Sequence, residues 1–361
     1  MVAVAVGVVV GAAAACSTAG LRGGGPGDPG SDGQPSGDAQ VHDPDAAPPP
    51  FVEAAANEPA GPLCDIPADY VANGGDPYNP PCAIGIGVYR DPTIAPKTAL
   101  RVVAWNVEFG KDSAAVAAAL EQRSALANAD LLLLSEVPRA SLTSNPQNIN
   151  FAQQLAMRFH MSYAYAVEWD RREKLDELGE YGVAVLSRYP IGNPRMLRHA
   201  QLNDWYSGDQ LYGGRVSVGV DVLVGSKVIA VYASHFDTRG TGDAGRATQA
   251  AEVRADATAA GRPAIVVDGG DFNTWTCNPL VSDCTVAPAA EQTIEDFLAD
   301  GWFNGDGGWN GVTQLGKGFF PQRLDWVFYR GTGTSAVFGQ ADDGATGSDH
   351  LPVYFELHTE P

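Results

Sequence analysis

Positive charge is scarce in this chain. Its 361 residues hold 23 Lys and Arg against 43 Asp and Glu, a formal net charge of −20. So acidic a chain argues against tight, nonspecific binding of nucleic acid, which relies on Lys and Arg neutralising phosphates. It does not exclude an enzyme acting on a phosphodiester, because a bound divalent ion brings positive charge to the one place that needs it. A long apolar run is also missing. The first fifteen residues are apolar or Gly, short of the about 20 that a spanning helix needs. Cysteine is sparse, five in all, and none stands in a zinc-ligand spacing such as Cys-x-x-Cys. No internal repeat is visible.

What is present divides the chain into four parts. Residues 1–15 read as the apolar region of a secretory signal peptide. Small residues lead directly into Cys16. The ending Ala-Ala-Ala-Cys resembles a bacterial lipoprotein signal, with Cys16 as the lipidated first residue of an exported, membrane-anchored chain. No Lys or Arg precedes the apolar run, a departure from that pattern, and the alternative is an ordinary cleaved signal with an incidental Cys. Residues 16–60 are Gly, Pro, Asp, Ser and Ala, too poor in apolar surface to offset ordering entropy. They read as a flexible tether. Residues 61–97 are Pro-rich and read as an irregular, cysteine-stapled lead-in. Residues 98–361 form the folded domain. Apart from Cys16, the cysteines are Cys64, Cys82, Cys277 and Cys284. An even number in an exported protein points to disulfides. Of the three possible pairings, proximity favours Cys64–Cys82 and Cys277–Cys284.

Within the domain, strands are expected at Arg101–Trp105, Asp130–Ser135, Gly182–Leu186, Val216–Val224, Val228–Ser234, Ala264–Val267, Leu324–Tyr329 and Pro352–Leu357. Helices are expected at Asp112–Asn128, Phe151–Phe159 and Asp243–Ala260. Leu131-Leu-Leu-Leu134 is a strand buried on both faces. Val216–Val224 and Val228–Ser234 read as a hairpin turning at Gly225-Ser226. The mixture fits an α/β fold in which two sheets pack together with helices outside.

Charged and amide residues collect at the ends of these strands. Glu136 follows the Leu run. Asn106 and Glu108 stand two apart, so in extended chain they point to one side. Asp271 and Asn273 repeat that arrangement, and Ser234-His235 and Ser348-Asp-His350 border other strands. Oxygen donors of this kind suit a hard divalent cation. Any one of these motifs alone is as easily a turn cap.

In sequence order they are more specific. Val103-Ala-Trp-Asn-Val-Glu108, Leu131–Glu136, Gly182–Pro190, Tyr232–His235, Gly269-Gly-Asp-Phe-Asn-Thr-Trp275, Arg323-Leu-Asp-Trp326 and Ser348-Asp-His350 resemble the endonuclease/exonuclease/phosphatase superfamily, the fold of pancreatic-type deoxyribonucleases and bacterial sphingomyelinases. The resemblance spans roughly Leu100 to Leu357. It implies a four-layer α/β/β/α sandwich of two mixed β-sheets with a Mg²⁺- or Mn²⁺-dependent site at one rim. Carried onto this chain, it makes Glu136 the principal metal ligand, with Asn106, Glu108 and Asp349 beside it. Asp271 orients or deprotonates the attacking water. Asn273 holds a phosphoryl oxygen. His350 contacts the phosphate and is oriented by Asp325. His235 is a second histidine, for which Glu180 resembles the orienting acid. Arg215, Arg246 and Gln249 reach substrate phosphate or brace the rim. Trp169, Trp205, Tyr206 and Tyr212 are expected in loops, against substrate or over the core. The expected protein is an exported monomer that hydrolyses a phosphodiester and is held at a membrane through Cys16. Its substrate is a nucleic acid or, alternatively, a phospholipid or sphingomyelin head group. A third reading is a non-catalytic binding module of the same fold.

Overall fold

Leu131-Leu-Leu-Leu134 shows no polar alternation because both faces of its strand are covered. Leu132 and Leu134 pack beneath helices, while Leu131 and Leu133 meet a second sheet. The computed structural model describes residues 50–59, 61–67, 69–139, 150–170, 179–200, 202, 206–207, 211–238, 243–274, 292–307, 309, 311–314, 322–337 and 339–360. The expected signal peptide, Cys16, Trp205, Cys277 and Cys284 lie outside these residues.

The first sheet has eight strands. In spatial order they are β1 (Gly85–Val88), β4 (Ser162–Asp170), β5 (Glu180–Ser187), β3 (Leu131–Arg139), β2 (Ala99–Asn106), β14 (Val353–Thr359) and β13 (Thr334–Val337), with β7 (Tyr212–Gly213) paired to β4 off this path. The second sheet runs β11 (Phe303–Asn304), β12 (Asp325–Arg330), β10 (Ile265–Asp271), β9 (Lys227–His235), β8 (Val216–Val224) and β6 (Ile191–Arg198). Each sheet is mixed. β2 and β3 are parallel, as are β9 and β10, within otherwise antiparallel ladders.

Alternate residues divide each strand between two cores. Leu100, Val102 and Ala104 of β2 join Val218, Val220 and Val231 between the sheets. Val103 and Trp105 pack with Val116 and Leu155 of helices α1 (Ser113–Gln122) and α2 (Phe151–Phe159). On the far side, Ala230 and Tyr232 pack with Val253 and Phe297 of α3 (Asp243–Ala257) and α4 (Gln292–Ala299). The layers are therefore α/β/β/α, as the sequence leads one to expect. Asp112 caps α1 by accepting from Ala115 N–H, and Asn150 caps α2. Gly225, at φ +63°, makes the β8–β9 turn. Among the described residues no helix is long and apolar enough to cross a membrane.

The expected boundaries at 60 and 97 are corrected by the structure. Ala54 N–H donates to Ile191 O at 2.8 Å, and Asn57 pairs with Ile86. Glu58 accepts from Arg139 and from the Tyr163 hydroxyl. β1 is an edge strand of the first sheet. These segments are ordered by main-chain pairing and buried ionic bonds, which apolar content does not reveal. Cys64 and Cys82 are disulfide-bonded.

Candidate active site

The two parallel pairs end at one rim. Asn106, the last residue of β2, lies opposite Ser135 where the β2–β3 pairing stops, and His235 lies opposite Asp271 at the ends of β9 and β10. Asp325 begins the antiparallel β12 opposite Asp271. His350 arrives just before β14, whose first residue pairs with Ala104 of β2. The sheets thus bring Asn106, Glu136, His235, Asp271, Asn273, Asp325 and His350 to the same edge.

The backbone is unusual where these side chains leave it. Glu108, Glu136 and Asn273 have φ of 46°, 53° and 53°, a left-handed conformation that ordinary residues seldom adopt and that clusters at functional sites. At Glu136 the β3–β5 register shifts between Leu134 and Val137. Such a bulge re-aims one side chain without breaking the sheet. Behind Asp271, Phe272 stacks on Phe297 and Phe328 with ring centres 5.6 and 5.9 Å away. That aromatic packing anchors the chain segment between Asp271 and Asn273.

Two histidine–carboxylate pairs face one oxygen. His350 Nδ1 is 2.8 Å from Asp325 Oδ2, and its Nε2 is 3.8 Å from Asp271 Oδ2. His235 Nδ1 is 2.9 Å from Glu168 Oε2, and its Nε2 is 3.6 Å from the same Asp271 oxygen. Asn106 Nδ2 donates to that oxygen at 2.9 Å, while Asp271 Oδ1 accepts the Asn273 N–H. Burial opposes charge on His350, but Asp325 and Asp271 outweigh it and raise its pKa to about 10. His350 is therefore an imidazolium at neutral pH. Burial likewise opposes the Glu168 carboxylate, yet His235 and Arg215 hold its pKa below the ordinary value. Gln314, which the sequence reading missed, brings its amide 3.4 Å from His350 Nε2.

Glu180 does not orient His235. Its carboxylate accepts from Leu63 N–H and Cys64 N–H and pairs with Arg139. Glu168, buried in the middle of β4, takes the role assigned to Glu180. Arg215 is buried against Glu168, and its Nη1 lies 2.9 and 2.8 Å from the two His235 ring nitrogens. It supports the histidine rather than reaching out of the cleft. Arg246 is buried as well. Gln249 accepts from Asp237 N–H and donates to Ala200 O, which makes it a brace. Trp169 and Tyr212 are buried strand residues, not loop residues.

The expected metal ligands are oxygen donors, as a hard cation requires. Withdrawal from solvent pushes the Glu136 pKa up, against the pull of His235 and His350, and the Asn106 amide hydrogen-bonds the same carboxylate. Among the described residues no Lys or Arg pairs with Glu136; its neighbours are Asn106 and the two histidines. Glu108 is more fully engaged, by Lys111 and by the Asp349 N–H. Asp271, Asp325 and His350 also lie within 4.8 Å of one another, but His350 carrying its second proton has no lone pair for a metal, which leaves the oxygen donors. The donor set fits a divalent ion.

The family model described as the endonuclease/exonuclease/phosphatase family matches residues 103–350. No curated sequence matches the chain. Among solved structures, the chain is similar to an endonuclease/exonuclease/phosphatase from Beutenbergia cavernae, at 20% identity and a TM-score of 0.54, covering 73% of this chain and 72% of that one. The human Nocturnin catalytic domain aligns at 15% identity and a TM-score of 0.52, over 74% and 97% of the two chains. A family protein from Bacteroides thetaiotaomicron aligns at 15% identity and a TM-score of 0.50, over 74% and 100%. These likenesses share the fold. The family-model match, over more than half of the chain, establishes that it belongs to the endonuclease/exonuclease/phosphatase family, whose members are hydrolases acting on phosphoesters.

Proposed function

We propose that this protein is a divalent-metal-dependent phosphodiesterase of nuclease-like action. The observation that carries the reading is the convergence of His235 and His350 on Asp271 Oδ2, each histidine backed by its own buried carboxylate. A phosphoryl group under attack needs three things at once: a base for the water, donors for its oxygens and a proton for the leaving group. Asp271 is the base, held by Asn106 and the Asn273 N–H. His350, charged and oriented by Asp325, donates from Nε2 to a phosphoryl oxygen. His235 delivers a proton to the leaving oxygen, its other nitrogen fixed by Glu168. Glu136 and Asn106 would hold Mg²⁺ or Mn²⁺, which when bound supplies Lewis-acid stabilisation of charge on the phosphoryl oxygens.

The test is hydrolysis of a panel with Mg²⁺: plasmid DNA, RNA, sphingomyelin, a simple phosphodiester and a phosphomonoester. Cleavage of nucleic acid and the simple diester is expected. Turnover of sphingomyelin alone would move the assignment to lipid, and turnover of none would leave a binding module of the same fold.

The protein is exported and held at a membrane by lipid on Cys16. The small residues before Cys16 support this, as does the Cys64–Cys82 bond, which suits an oxidising compartment. Cys16→Ser should release the protein from the membrane fraction. Wild type found soluble outside the cell would make Cys16 incidental.

A further inference from the structure

We propose that Arg198, clamped by the disulfide-closed loop between Cys64 and Cys82, is a positioning residue that sets Glu168 and Arg215 against His235. The inference rests on the site assigned above; the loop between Cys64 and Cys82 lies outside the family match, which begins at residue 103.

Arg198 is the last residue of β6. Its guanidinium donates from Nη2 to Val167 O and from Nη1 to Gly214 O, both at 3.2 Å. Val167 immediately precedes Glu168, and Gly214 immediately precedes Arg215. One planar fork therefore fixes the main chain beside both partners of His235. Nη2 also lies 3.8 Å from Cys82 Sγ. No carboxylate bonds to Arg198 among the described residues. Its partners there are these two carbonyls and the sulfurs of Cys82 and Met196. Glu168 and Asp76 act on the charge of this half-buried guanidinium without bonding to it, so its hydrogen bonds go to holding the two carbonyls in place.

The same loop holds a second point. Pro77, between the two cysteines, accepts the Gly213 N–H at 2.7 Å, and the Gly214 N–H donates to Glu168 O at 2.9 Å. β7 is thereby pressed onto β4, with Gly213 opposite Trp169. Only Gly fits there: φ is +117°, and a Cβ would stand 2.1 Å from Glu168 O. The disulfide fixes the loop, the loop and Arg198 fix residues 167 and 213–214, and these fix Glu168 and Arg215.

The test uses the full chain with Arg198→Met, Arg198→Lys and the double variant Cys64→Ser/Cys82→Ser, each first shown to be folded by circular dichroism. In Arg198→Met, kcat on a phosphodiester should fall about 10²-fold, the scale of a small misplacement of a catalytic group, with KM little changed. Arg198→Lys should recover part of that loss, and the double variant should move in the same direction. Ring-nitrogen NMR resonances of His235, recorded without substrate, should shift in each variant while those of His350 stay in place. Folded variants with wild-type kcat and an unmoved His235 signal would overturn the proposal. If wild type hydrolyses no phosphoester, the assigned function fails, and the His235 resonances still decide whether the brace exists.

Discussion

Glu168 Oε2 stands 2.9 Å from His235 Nδ1, on a carboxylate no solvent reaches. A buried carboxylate against an imidazole fixes which nitrogen faces the reaction and stabilises the ring when it carries a proton. Glu168→Gln should therefore lower kcat by about 10²–10⁴ with little loss of fold. Glu180→Gln, which breaks the buried pair with Arg139, should chiefly lower stability, by about 3–5 kcal/mol, and lose far less kcat at temperatures where it is folded. Steady-state kinetics and thermal unfolding of the two variants separate the roles. Equal kcat losses in both would return the assignment to Glu180.

Alanine at Asp271, His350 or Glu136 should each remove most hydrolysis, by about 10²–10⁴ for the positioned acid or base, and leave the circular dichroism spectrum intact. These side chains lie at strand ends or, for Glu136, at a bulge, and belong to none of the apolar cores. A His350→Ala enzyme as fast as wild type would leave that histidine without a role.

The disulfide should matter to stability as well as to placement. Cys64 and Cys82 are 18 residues apart, and closing a loop of about that length is worth roughly 3 kcal/mol by the chain-entropy account. Cys64→Ser/Cys82→Ser should show this as a lower denaturant midpoint at unchanged slope. An unchanged midpoint would mean that the pairing of 63–65 with 81–83 holds the loop unaided.

Asp268 predicts a pH effect. It is buried, and burial raises its pKa from 3.8 to about 7, although Ser234 donates to it. The folded state then binds a proton more tightly than the unfolded chain. The stability this contributes is complete below about pH 4 and is lost as pH rises towards about 7, a change of a few kcal/mol, about 1.4 per pKa unit. Asp268→Asn should flatten that part of the stability curve. Denaturant titrations of both proteins at pH 4, 5.5 and 7 measure it, and parallel curves would contradict it.

Much of the site was legible because its residues border apolar runs. Asn106, His235, Asp271, Asp325 and His350 stand where a strand ends or begins, and a strand end at a sheet rim is where a polar group can act; Glu136, expected at the end of its strand, sits instead at a bulge inside β3. Glu168 carries no such mark. It lies inside β4 between Val167 and Trp169, in a run of Tyr and Ala that does not declare itself a strand. The available signal was physical: a charge inside a strand buried on both faces needs a partner. Glu180 drew the assignment through its nearness to the Gly182 strand, whereas its true partner, Arg139, is 41 residues away. The lead-in was misjudged for a similar reason. Its Pro-rich composition conceals distant bonds such as Leu63 and Cys64 to Glu180, as the tether's conceals Glu58 to Arg139, and those bonds tie both segments to the domain.

The central claim is a divalent-metal-dependent phosphodiesterase, and chelation tests it most directly. Hydrolysis of a phosphodiester by wild type should fall to background in EDTA and return when Mg²⁺ or Mn²⁺ is added in excess. A rate that survives exhaustive chelation would contradict the account.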